Sequence, residues 1–374
     1  MQRKQKVRSI RTPALIALLG AAGLTSAFAA NNAFKQSNLV SDIPGLATYT
    51  DPNLVNPWGL SASGASPMWV SNADSGTSTI YNGAGVPSPL VVMIPTPGGA
   101  AGAPTGQIFN GTTAFNGDRF IFATENGTIA GWRGALGTTA ETLFDMSAGD
   151  ASYKGLAFGT VGSDSYLYAA DFHNARIDVF NNSGATTLVG SFTDPTLPLG
   201  YAPFNVQNLG GSLFVSYALQ DASAEDEVAA PGAGFVSRFD LSGNLLGRFA
   251  SNGPLNAPWG MAIAPMGFGG FGGDLLVGNF GDGRINAYDL ASGNFIDVLR
   301  DASGHPFEID GLWGLRFGNG AGSGPMDTLY FAAGIDGEAH GLYGAIAPVP
   351  EPATYGLAAA GLLGLIVLFR RFRA

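Results

Sequence analysis

An all-β, six-bladed β-propeller closed by its own N-terminal strand is predicted by three observations. A unit of short apolar strands separated by turn formers recurs at intervals of about fifty residues, the period of a four-stranded blade. Glycine supplies 56 of 374 residues without a collagen period, and only 12% are charged, as suits many tight turns joining apolar strands. The first repeat is preceded by a strand with no partner in its unit, and the last repeat is one strand short, so pairing the two closes the ring.

The clearest unit runs over residues 257–289. It holds an apolar segment around Trp259-Gly260-Met261, a Gly-rich reversal, an alternating run at 275–279, the turn Gly281-Asp282-Gly283, and a second alternating run at 284–288; residues 294–299 supply a fourth strand. First strands of the same kind are expected at 56–60, 105–109, 154–158, 204–207 and 313–315, and second strands at 68–72, 120–124, 167–171, 213–217 and 329–333. Outer strands are expected at 90–94, 141–146, 187–192 and 245–249. Residues 34–43 form the unpartnered first strand, and 341–346 end the short sixth unit. Blade four departs from the others by a long insertion, residues 218–232, which joins its second and third strands and is expected beside the mouth of the central channel.

The ends read differently. Arg3, Lys4, Lys6, Arg8 and Arg11 precede an apolar run at 14–24 and the small-x-small site Ala27-Phe28-Ala29, which is the pattern of a secretory signal peptide over residues 1–29 with cleavage after Ala29. The propeller then occupies 30–347. From about 353 to 369 the chain carries no charge, which is the lower limit of length for a transmembrane helix. Arg370, Arg371 and Arg373 follow and are expected to stay cytoplasmic, leaving the body across the inner membrane, in the cell envelope or outside it.

Between residues 30 and 350 lie ten of the 18 basic and 27 of the 28 acidic residues, a net charge of −17. Such a surface repels phosphate backbones and disfavours nucleic acid as a partner. The absence of cysteine excludes disulfides and thiolate metal sites.

Val349, Pro350, Glu351 and Pro352, the apolar stretch behind them and the terminal arginines resemble the PEP-CTERM sorting signal of bacterial envelopes. That resemblance implies an exosortase-type sorting protease as a partner and at least transient anchorage in the inner membrane. The body, with residues 38–42 reading Asn-Leu-Val-Ser-Asp and 56–60 reading Asn-Pro-Trp-Gly-Leu, resembles an uncharacterised bacterial propeller family that frequently carries this tail, and the resemblance brings no established activity.

Candidate chemistry gathers at one rim. Asn72, Asp74, Glu125, Asn126, Asp171, His173, Asn174, Asn279, Asp282, Asp336, Glu338 and His340 fall at or after second strands, an oxygen-rich ring able to hold a hard cation such as calcium. Turn chemistry explains the same residues without a ligand. The starts of the inner strands offer Asn56, Lys154, Asn205, Asn256 and Asp310. The positions to inspect for binding are therefore Asn56, Asn205, Asn256, Asp310, Asp171, His173 and Asn279. Trp58, Trp259 and Trp313 occupy one repeat position beside glycine and are expected to pack against the neighbouring blade. No His-Glu-x-x-His pair, EF-hand loop or Gly-x-Ser-x-Gly elbow occurs, and no catalytic residue is assigned. The expected function is a non-enzymatic envelope domain binding an extracellular polysaccharide or a surface protein; the alternative is a calcium-assisted, lactonase-like hydrolase with its site in the channel.

Overall fold

The computed structural model describes residues 32–349, and these form the expected ring of six blades. Five blades are four-stranded antiparallel sheets taken in chain order from the axis outward. The sixth is built from Leu312–Phe317, Leu329–Ile335 and His340–Pro348, and Ala33–Ser41 pairs antiparallel with the last of these from Phe34 opposite Pro348 to Ser41 opposite Leu342. Phe34 anchors this seam by packing on Phe268 and Phe271 of blade five, with ring centroids 4.6 and 6.0 Å apart. Ser41 Oγ donates to the Gly341 carbonyl at 2.7 Å, and Asp42 receives the Gly341 N–H at 2.8 Å while lying 2.6 Å from His340 Nδ1. His340 is thus part of the closure.

Second strands fall where apolar alternation puts them: Met68–Asn72, Phe120–Thr124 and Leu275–Asn279 match the expectation to the residue. The outer strand of blade three does not. It is Gly184–Thr186, paired with Arg176–Asn181, whereas residues 187–192 leave the blade. Their amides bond instead to the hairpin turn of blade four, Gly190 N–H to the Ser242 carbonyl at 2.8 Å and Phe192 N–H to Gly243 at 3.1 Å. An apolar run can be satisfied by either neighbour, and here the adjacent blade takes it. In blade one the outer strand shrinks to Val92–Met93.

All six innermost strands, Pro57–Ser61, Pro104–Phe109, Tyr153–Val161, Tyr201–Leu209, Pro258–Ile263 and Leu312–Phe317, carry a bulge at the same place, near their start. A bulge re-aims a side chain. In five of these strands the bulge contains glycine, at 59, 106, 155, 260 and 314, and each is pressed against the inner strand of the next blade. A methyl group at Gly59 would overlap the Thr105 carbonyl, at Gly260 the Trp313 carbonyl, and at Gly314 the Trp58 carbonyl. Blade four has Asn205 there, whose amide donates to the Trp259 carbonyl at 2.8 Å and so ties blade four to blade five.

Candidate functional site: the mouth of the channel

The residue just before that bulge position points inward, and across the six blades these are Trp58, Thr105, Lys154, Phe204, Trp259 and Trp313. The tryptophans pack on each other across the axis as well as between neighbouring blades: Trp58 stacks on Trp313 at 3.4 Å and meets Trp259 edge-on at 5.8 Å. Phe204 closes on Trp58 and Trp313 from blade four at 6.5 and 5.6 Å. All four are buried, so none presents a face to a ligand. Their rings plug the channel and form the floor of its mouth.

On that floor stands Lys154, buried to 2% exposure, its ammonium 5.4 Å from the Trp58 ring centroid. Glu125, at the end of Phe120–Thr124, touches the ammonium directly, and Asp226 of the blade-four insertion lies 3.7 Å away. Burial opposes the lysine charge, yet the attraction and hydrogen bond of Glu125, with the fields of Glu227 and Asp226, hold the ammonium above its ordinary pKa. Glu227 and Glu338 are affected in the opposite sense. Burial first, then repulsion from Glu338 and Asp226, pushes Glu227 up to about 8 against the pull of Lys154. Burial, with Glu125 and Asp74 nearby, also raises Glu338, although Asn56 Nδ2 donates to it at 2.7 Å.

Asn56 links this cluster to the plug. Its Oδ1 accepts the Trp58 indole N–H at 3.0 Å, and its backbone is left-handed (φ 47°). Ala257 repeats that backbone in blade five (φ 45°) without a polar side chain, so the strain belongs to the repeat and the amide to the mouth.

The insertion is laced down on both sides. Gln220 Nε2 donates to the Phe172 carbonyl of blade three at 2.6 Å, and at the residue just past the insertion's end the Ala257 amide of blade five donates to the Ala233 carbonyl at 2.9 Å. Asp221 holds its turn by accepting the N–H groups of Ser223 and Glu225 at 3.2 and 3.0 Å. This brings Asp226 and Glu227 to Lys154 and sets Glu225 3.0 Å from His173 Nδ1.

The positions singled out from sequence divide accordingly. Asn56 is in the cluster, and His173 flanks it. Asn205 serves the blade contact already described. Asp171 is buried, accepts from the Ser152 and Asn174 backbones at 3.2 Å each and from the Asn174 side chain at 2.8 Å, and is raised by burial. Asn279 donates to Pro254 and Asp282, Asn256 faces Gly281, and Asp310 accepts the Asp336 amide at 2.7 Å on the surface. These four do not converge with Lys154. Glu227 had no periodic signal to mark it, whereas Lys154, one of two lysines in the propeller, was visible as a charge inside an apolar strand.

Calcium does not fit this donor set. Among the described residues no group of three or more His, Asp or Glu side chains is arranged to hold a metal ion. The carboxylates that do approach the mouth already surround a fixed ammonium, which would repel a divalent cation.

A relative settles the family. An uncharacterised protein of Acanthamoeba polyphaga mimivirus is 33% identical over 359 residues, covering 91% of this chain and 87% of its own length. The chain belongs to the same family. That relative is viral, so the family is not confined to bacteria. Residues 348–373 match the PEP-CTERM protein-sorting motif, which marks the propeller for export and membrane-associated sorting. Residues 1–31 and 350–374, where the signal peptide and most of the sorting tail fall, lie outside the described residues; among those described, no helix is long and apolar enough to cross a membrane.

Two solved structures share the architecture at low identity. A glucose dehydrogenase aligns with TM-score 0.54 at 14% identity over 84% of this chain and 100% of its own. An α-L-arabinofuranosidase of Fusarium graminearum aligns with TM-score 0.54 at 10% identity over 85% and 98%. Their different chemistries make the likeness one of fold alone.

Proposed function

We propose that this is an exported, envelope-associated binding propeller, handled by an exosortase-type protease, that takes a neutral extracellular polysaccharide at the mouth of its channel. The observation that carries the reading is Lys154 fixed among Glu125, Asp226, Glu227 and Glu338, with Glu227 raised to about 8. A protonated carboxyl at Glu227 beside the carboxylates of Glu125 and Asp226 offers the mixed donors and acceptors that sugar hydroxyls require, while Asn56 holds Glu338 in place. The aromatic floor keeps the ligand at the rim.

The reading predicts a pH dependence. At neutral pH the Glu227 carboxyl donates; above about pH 8 it ionises and loses that donor. Binding of neutral envelope polysaccharide, followed by calorimetry, is expected to weaken as pH rises through 8, and Glu227→Gln, which keeps a donor, should flatten the profile. Binding indifferent to pH and to this substitution would sink the proposal.

A second reading has a specific observation behind it: a carboxyl protonated near neutrality is also a proton donor for glycosidic cleavage. Release of new reducing ends from the bound polysaccharide, abolished by Glu227→Gln while binding persists, would favour metal-independent hydrolysis over binding alone.

A further inference from the structure

Beyond the aromatic plug, the far half of the channel opens again. Two adjoining cavities of about 390 and 310 Å³ share Gln207, Asn208, Leu209 and Arg316, and between them they touch the inner strands of all six blades. Their volume is that of a small-molecule site. Arg316 is the only charged residue lining either one. Two residues after the bulge position it stands where the other blades carry Ser61, Ile108, Ala157, Gln207 and Ala262, so the register of the repeat gives it no architectural reason to be basic.

Arg133, Arg176, Arg248, Arg284 and Arg300 all pair with carboxylates. Arg316 does not. Its Nη2 donates to the Ala62 carbonyl at 3.1 Å, its Nε is buried without a partner, and burial alone pulls its pKa down. A desolvated guanidinium with unused donors selects a planar anion able to bind two of them. In the larger of the two cavities, Gln107 spends its amide N–H groups on the Gly59 and Trp69 carbonyls at 2.6 and 2.8 Å, which fixes its orientation and leaves Oε1 buried and unpaired. That oxygen needs a hydroxyl or amine donor. Leu60 in the cavity that holds Gln107, and Leu315 and Met261 in the adjoining one, supply apolar wall.

We propose that the far end of the channel binds a hydroxylated carboxylate of monosaccharide size, its carboxylate on Arg316 and a hydroxyl on Gln107. The site is separate from the mouth and independent of the function assigned there.

Galacturonate is the probe, with galactose as the neutral control of the same shape and sulfate as the inorganic anion, each titrated calorimetrically into the exported protein. Galacturonate is expected to bind and galactose not to. Arg316→Gln should weaken galacturonate at least about tenfold, because hydrogen bonds to a charged group are the strong ones. Its melting temperature should be equal to or above that of the parent, since a cation without a partner has been removed. Leu209→Trp, which puts an indole into both cavities while leaving the Arg316 side chain unsubstituted, should block binding as well and serves if Arg316→Gln does not fold. Equal binding of galactose and galacturonate, no binding of either, or galacturonate binding that survives both substitutions would overturn the proposal. So would displacement of galacturonate by equimolar sulfate, which would mark a general anion hole.

Discussion

Glu227 is stabilised as an acid by the fold and as an anion by the unfolded chain. Its carboxyl is raised to about 8 in the native state, whereas an unperturbed glutamate titrates near about 4.3. Between those values the native state holds a proton that the unfolded chain has released, so stability falls as pH rises through the window and is regained on acidification. Glu227→Gln cannot ionise and is expected to remove this part of the slope, leaving the variant more stable than the parent above pH 8. Urea denaturation at about pH 5 and about pH 9 tests this; parallel profiles for the two proteins would show that the carboxyl is not perturbed. Lys154 was named at the start of an inner strand but not among the positions to inspect, although a lysine inside an apolar strand needs a counter-charge. Which carboxylates answer it was not legible in the sequence, since Glu125, Glu227 and Glu338 come from three blades and only the closed ring brings them together.

At the level of elements, apolar alternation bounded by turn residues located nearly every strand, and second strands best of all, because they are buried on both faces and have no choice of partner. Outer strands are half-exposed, so tertiary contacts decide them: residues 187–192 read as a strand and went to the neighbouring blade's turn. The seam is the element most open to test. Phe34 is 1% exposed and packs on Phe268 and Phe271. Phe34→Ala is therefore expected to cost about 3–5 kcal/mol, the range for deleting a buried phenyl ring, measured as a loss of unfolding free energy in guanidinium. A cost below about 1 kcal/mol, the scale of an exposed substitution, would mean that the N-terminal strand does not hold the ring shut. The insertion of blade four is the complementary case. Its length was plain, but that it would be laced to blades three and five through Gln220 and Ala233 rested on contacts with no sequence signature.

Across the whole molecule, the excess of acid has a physical cost. A net −17 between residues 30 and 350 repels itself in the compact state. Raising sodium chloride shortens the Debye length from about 30 Å at 0.01 M to about 8 Å at 0.15 M, and the melting temperature is expected to climb across that range. A flat or falling curve would mean that ion pairs such as Arg248 with Asp194, 2.7 Å apart, outweigh the general repulsion. The closure also sets an order of events. Ser41 finds its partner Gly341 only 300 residues later, so while the polypeptide is being synthesised and threaded outward, the flank of blade one that will meet blade six stays bare. Leu54, Leu60 and Val70 on that flank belong to one cluster with Tyr330 and Tyr343. Until those tyrosines arrive, the nascent molecule presents a sticky groove to any chaperone or to a sister chain, and the yield of folded product should depend on how quickly the last blade is delivered.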